Sequence, residues 1–420
     1  MNQNEKKNLF AWCLYDWASS AFPIIITTFI FATYFTSHIA ENEIRGTYLW
    51  ANATAIAGII IAIGGPIVGA IADYRGHHKR WLLVFTLLCV GCSALLWYAY
   101  PSPNYANYTL IWVILGTISL EIAIIFYNSF LPHIAPPDYL GRISGWAWGS
   151  GYLGGIIALC IALFGFIKAT PSWLNTDTAA QVRICGPMVA IWFVLFSLPL
   201  FICVPDTPLT GKSFSEAIRQ GLKELVQTLK RLPAQKNLML YLIAHLIYAD
   251  GLNTLFAFGG IYAAGTFKMD LSLVILFGIT MNLSAGLGAI AFAWLDDWLG
   301  SKPTIIASLI SMIIFGIPVL LVEHRYAFWG CALVLALFLG TVQASSRSLM
   351  ARLVPIEKST EMFGLYAFSG KITAFMGPWL LGLATFYFHS QRAGMATILI
   401  FFIVGAFLMY FVRENPETTI

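Results

Sequence analysis

The sequence predicts an all-α polytopic membrane protein, with twelve transmembrane helices in two pseudo-symmetric six-helix bundles. Three observations predict it. Of the 420 residues, 59% are hydrophobic and only 10% charged, whereas soluble globular chains carry about 25% charged residues. The apolar residues fall into long runs suited to spans of about 20 residues, far beyond the 9–11 or so of a barrel strand. Polar signatures also recur in the same order in the two halves of the chain.

The runs place helices at 9–37, 49–72, 81–100, 109–131, 142–168 and 185–204, then at 238–264, 271–295, 303–322, 326–350, 361–387 and 393–412. Lys6 and Lys7 before the first run resemble a secretion signal. That run is too long and is interrupted by Asp16, so it reads as a retained first helix. Residues 205–237 form the only long polar connection, dividing the chain into bundles at 1–204 and 238–420. Within it Phe214, Ile218, Leu222, Leu225, Val226 and Leu229 keep helical spacing, with Lys223, Lys230 and Arg231 among them. The pattern fits an amphipathic helix on the inner membrane surface, with a solvated linker as the alternative.

With the N-terminus inside, seventeen Lys and Arg fall on inner segments, among them Arg80, Arg347 and Arg352, against six on outer segments. Lys371 lies within the eleventh span. The positive-inside rule then places both termini in the cytoplasm. A net charge of +4 spread over loops makes no case for nucleic acid. The seven cysteines lie in or at the edges of apolar runs and read as small hydrophobes; Cys89 and Cys92 have no second pair to complete a metal site. No H-E-x-x-H, G-x-S-x-G or P-loop suggests an enzyme, and nothing calls for a cofactor or metal.

The repeats carry the functional reading. Asp16-Trp17-Ala18-Ser19-Ser20-Ala21-Phe22 reads D-x-x-S-S-x-F, and Asp250-Gly251-Leu252-Asn253-Thr254-Leu255-Phe256 reads D-x-x-N-T-x-F. A carboxylate inside a span costs at least about 2.5–3.5 kcal/mol, which makes both functional candidates. Asp73-Tyr74-Arg75-Gly76, followed by Lys79 and Arg80, matches Asp297-Trp298-Leu299-Gly300 followed by Lys302. Asn128-Ser129 through Pro136 aligns with Arg347-Ser348 through Pro355, and Gly145, Gly151 and Tyr152 with Gly364, Gly370 and Lys371. A duplicated chain with polar groups at membrane depth is the organisation of secondary transporters.

The Asp73 loop resembles the cytoplasmic motif of the major facilitator superfamily. The strings Leu14–Phe22 and Tyr248–Tyr262 resemble its vacuole-effluxer (autophagy-related) branch in the compact bacterial form. The resemblance covers nearly the whole chain and implies alternating access, with amino-acid efflux from the vacuole known for yeast members. It implies a bacterial inner-membrane protein here. Asp73, Gly76, Arg80, Asp297, Gly300 and Arg352 form the expected conformational latch, with Asp73 and Asp297 meeting cytoplasmic helix ends or Arg residues across the boundary between the halves in the outward-open state.

Glu121 and Lys371 fall roughly 15–18 Å into their helices, near the midplane of a ~30 Å core. With no charged counterpart in the repeat, they lead the substrate candidates, as a charge pair or as two ends of a zwitterion site. Asp16 and Asp250 follow, each as a proton carrier or as an architectural group. Trp148, Tyr152, Tyr127, Asn128, Asn253, Asn282 and Gln343 are candidates for the cavity lining. Gly149–Gly154 matches G-x-G-x-x-G, but inside a span it reads as close helix packing. The expected activity is proton-coupled transport of a small polar solute, foremost an amino acid, by a monomer in the lipid bilayer. A facilitated uniporter and a non-transporting receptor or scaffold are the alternatives.

Overall fold

The computed structural model describes residues 3–169, 174–208, 210–211 and 213–414. Both chain ends and Lys212, one of the inner bases counted above, lie outside the described residues. The principal helices are α1 (Gln3–Ile39), α2 (Glu43–Arg75), α3 (His78–Leu95), α4 (Ala106–Ser129), α5 (Leu140–Cys160) and α6 (Cys185–Cys203). After α7 (Phe214–Arg231) come α8 (Lys236–Phe267), α9 (Leu271–Ala291), α10 (Ala293–Leu299) and α11 (Ser301–Leu321). The chain ends with α12 (Arg325–Leu353), α13 (Ser359–Lys371), α14 (Met376–Phe388) and α15 (Gln391–Phe411). No strand occurs among the described residues, and eleven segments are long and apolar enough to cross a membrane as single units.

The eleventh expected span, 361–387, is not continuous. It is split between α13 and α14. Pro378 has no N–H and its ring clashes with the carbonyl four residues back, on Ala374, so the break falls at 372–375. There are two shorter departures. Pro23 enters the middle of α1, where the register loosens to π geometry over Pro23–Phe29. The expected 271–295 bends at Phe292, between α9 and α10.

Packing repeats with the sequence. In the first half α1 packs on α5 and α6, and α4 on α2 and α3; in the second, α8 packs on α13 and α15, and α12 on α9 and α11. The halves meet through α2 with α13, matched by α5 with α9, and through α4 with α13, matched by α5 with α12. Small residues allow these approaches. A Cβ on Gly145 would strike the Ala289 carbonyl of α9, and one on Gly154 the backbone of Trp17 in α1. The glycine string in α5 is therefore a packing surface, as its position inside a span implied.

Candidate functional site

Three polar layers join the halves. The first lies where α2 and α10 end. Asp73 accepts hydrogen bonds from the backbone N–H groups of Thr360 (3.2 Å) and Glu361 (2.7 Å), in the first turn of α13. The carboxylate thus meets the positive end of a helix whose N–H groups lack intrahelical partners. His78 Nε2 approaches the same carboxylate at 3.3 Å. Asp297 makes the matching arrangement: its Oδ1 accepts from Gly141 N–H (2.8 Å) and Arg142 N–H (3.2 Å) at the start of α5, and Arg142 Nε lies 3.1 Å from Oδ2. Arg352 reaches Asp296 and Asp297 at 3.5 and 3.7 Å. Gly76 (φ 80°) and Gly300 (φ 98°) turn the chain after each helix, in backbone conformations that glycine tolerates best.

Arg80 does not join this layer. It is exposed, and His78 supplies the neighbouring base instead. The physical reason is helical phase: two residues advance the face by about 200°, so a side chain two beyond His78 leaves the opposite side of α3.

The second layer centres on Arg347, which sequence reasoning counted as an inner-segment charge. It is buried inside α12, five residues before Arg352, or about 7–8 Å deeper than the latch. Its Nη1 donates to Asp16 Oδ2 (2.8 Å) and more weakly to Asn128 Oδ1 (3.4 Å). Nε donates to the Ser144 hydroxyl (2.9 Å) and Nη2 to the Ser144 carbonyl (2.7 Å). The rings of Trp12, Trp148 and Tyr127 lie 4.9, 5.5 and 5.7 Å from the guanidinium carbon, within cation–π range. Only 3% of the Arg347 side chain and 13% of Asp16's are exposed. A charge this buried is tolerable because it is paired and hydrogen-bonded. The sequence held a signal for it: Arg347 is the repeat counterpart of Asn128, and the two counterparts touch.

The third layer is deeper. Lys371 Nζ donates to Glu121 Oε1 at 2.8 Å, joining α4 to the last residue of α13. Lys371 lies twelve residues beyond Ser359, so this pair sits about 18 Å from the start of that helix. Unlike the Arg347 pair it is only partly buried, with 33% and 30% of the two side chains exposed. The offset that pairs Asn128 with Arg347 pairs Glu121 with Gly340, whose missing side chain makes room for the Ala285 carbonyl of α9. Across the break, Asp250 Oδ2 accepts from Gly377 N–H (3.1 Å) in the first turn of α14, while its buried Oδ1 has no hydrogen-bond partner. Asn253 donates to the Gly370 carbonyl at 3.2 Å. The broken helix thus gathers Lys371, Asp250 and Asn253 within a few residues of 370–377.

The other expected lining residues are dispersed. Tyr152 donates to Gln343 Oε1 (2.6 Å), bridging α5 and α12. Tyr127 and Trp148 belong to the Arg347 cage. Asn282 bonds to Gly278 of its own helix and borders a small apolar recess with Ile24, Phe29 and Ile279.

Two acidic residues went unnoticed in the sequence. Asp206 accepts from Lys79 N–H (2.9 Å) and Glu414 from Ser301 and Lys302 N–H (2.5 and 3.2 Å), capping α3 and α11. Each stands three residues after the last helix of its half, in Val204-Pro205-Asp206 and Val412-Arg413-Glu414, a fourth repeat too short to read unaided.

A family sequence model described as "Vacuole effluxer Atg22 like" matches residues 38–417. The chain belongs to this family. An uncharacterized MFS-type transporter, YxiO of Bacillus subtilis (strain 168), is 28% identical over 413 residues, covering 98% of this chain and 96% of the relative. Autophagy-related protein 22 of Kluyveromyces lactis is 25% identical over 359 residues, covering 78% of this chain and 71% of that protein. Among solved structures, the transporter FucP in the outward conformation superposes with a TM-score of 0.77 at 13% identity, covering 98% of this chain and 99% of that one. The proton:xylose symporter XylE gives 0.75 at 15% identity, covering 98% and 95%. This Atg22-like chain is an integral membrane protein with the transporter fold of the major facilitator superfamily.

Proposed function

We propose that this chain is a secondary active transporter that moves a small zwitterionic solute, foremost an amino acid, by rocking residues 1–204 against 238–420. The observation that carries the reading is the Glu121–Lys371 pair. It presents one acid and one base, spans the two halves, and stays partly exposed at depth. A solute bearing both an ammonium and a carboxylate can exchange this internal pair for two external ones without leaving either charge bare. That exchange reduces the penalty of breaking a desolvated pair. The Atg22 relatives and the broken helix beside Lys371 support the same reading, since discontinuous helices offer free N–H and C=O groups to substrates.

The polar links between the halves lie at the end bearing Asp73, Asp297 and Arg347, while at the other end Phe29 of α1 only approaches Gly278 of α9 and α14 packs on α8 and α15 of its own half. This supports an outward-open state with both termini cytoplasmic and a monomer as the working unit. Asp250, whose Oδ1 is unpaired, is the better candidate to carry a coupling proton; Asp16, held by Arg347, suits a gate. The structural latch and the partly exposed pair speak against a receptor that has lost transport.

The test begins with a thermal-stabilisation screen of amino acids against purified protein, followed by uptake into proteoliposomes. Glu121→Gln and Lys371→Met should each weaken binding of the stabilising solute at least about tenfold, the loss of one charge-assisted bond. Unchanged affinity and pH dependence in folded variants would remove both residues from the site.

A further inference from the structure

Helix α7 has three faces. Ala217, Gly221, Leu225 and Thr228 are buried; a Cβ on Gly221 would come within 2.9 Å of the Ala70 carbonyl, so this face is seated on α2. Roughly 100° around the helix, Phe214, Ile218, Leu222, Val226 and Leu229 stand 36–49% exposed. Another 100° or so further, away from the protein, lie the exposed bases Arg219, Lys223 and Lys230.

Both ends of α7 are tied to the same surface. Ten residues separate its start from α6, and four separate its end from α8. A helix held flat at a membrane surface, apolar on one side and basic beside it, matches a layer of acyl chains under negative headgroups. From this we infer that α7 engages anionic phospholipid headgroups and that this engagement holds the Asp73 latch closed.

The link is structural. Gly221 packs on Ala70 and Ile71, two residues before Asp73. Asp73 in turn accepts the backbone N–H groups of Thr360 and Glu361. Thr210 and Phe214 add contacts to the same loop: the Thr210 hydroxyl donates to the Tyr74 carbonyl (2.9 Å), and Arg75 lies over the Phe214 ring (5.1 Å). The position of α7 on α2 therefore sets the position of Asp73, the acceptor side of the latch.

The inference rests on the latch reading but not on any substrate, so its test uses none. Amide hydrogen exchange of the full chain is compared in phosphatidylcholine nanodiscs with and without phosphatidylglycerol. Each base held at an anionic surface is worth about fivefold. The Thr360 and Glu361 amides should exchange about tenfold or more slowly with phosphatidylglycerol, and α7 should be protected in parallel. Arg219→Gln/Lys223→Gln/Lys230→Gln, three exposed substitutions that leave the fold intact, should abolish the difference. Equal exchange in both lipids overturns the proposal. So does a lipid effect that survives the triple variant, one confined to α7 without Thr360 and Glu361, or an α7 protected only when a protein from the membrane extract is added.

Discussion

Replacing Arg347 with methionine tests whether the second layer is an energetic lock. The structure sets the magnitude. Arg347→Met strips Asp16 Oδ2 of its 2.8 Å partner in a site where that side chain is 13% exposed, and it removes donors from the Ser144 carbonyl and Asn128. Breaking a buried pair from one side costs about 3–5 kcal/mol, because the remaining charge is left uncompensated. Asp16→Leu/Arg347→Met leaves no orphan charge and should recover to within about 2 kcal/mol of the parent. The pair also joins α1 to α12, so it exists only while this end is closed. Losing a hydrogen bond to a charged group, worth about 1.5–3 kcal/mol, should shift the closed-to-open ratio by about ten- to 150-fold. Reversible unfolding in mixed micelles, run as a double-mutant cycle, measures the first effect, and amide exchange across α5 and α12 measures the second. A coupling energy below about 0.5 kcal/mol, the level of independent sites, would refute the reasoning.

The latch carries a second prediction: Asp73→Asn and Asp297→Asn keep the shape but lose the charge that meets each helix end. Each should shift the equilibrium toward opening at the inner side by up to about thirtyfold, from a charge–dipole contact of at most about 2 kcal/mol. Cysteine accessibility that is unchanged in both would reject the role. The caps give a third: Asp206→Ala and Glu414→Ala should each destabilise the protein by about 0.5–2 kcal/mol. Lying in opposite halves, the two should add; a strongly non-additive double mutant would show that they do not act as independent caps.

The sequence by itself determined what depends on local physics. Unbroken apolar runs demanded helices because lipid offers no other partner for the backbone. The repeated Asp-x-x-Gly loops announced two equivalent turns, since only a glycine readily follows a helix with φ near 80° or 98°. The isolated acid and base at Glu121 and Lys371 stood out because charges at that depth are costly.

Only the tertiary structure decided which of these groups meet. Arg347 looked like a loop charge because α12 runs beyond the bilayer-length segment, and its burial depends on Asp16, Ser144 and Asn128 arriving from three other helices. The break at 372–375 was half visible in Gly377 and Pro378, yet Asp250 from α8 takes up the N–H group freed there. Arg80 carried the expected charge on the wrong helical face. Periodicity and composition report on the solvent each segment must face. The partner of a buried charge is set by distances across the chain, and those exist only once the halves have closed on one another.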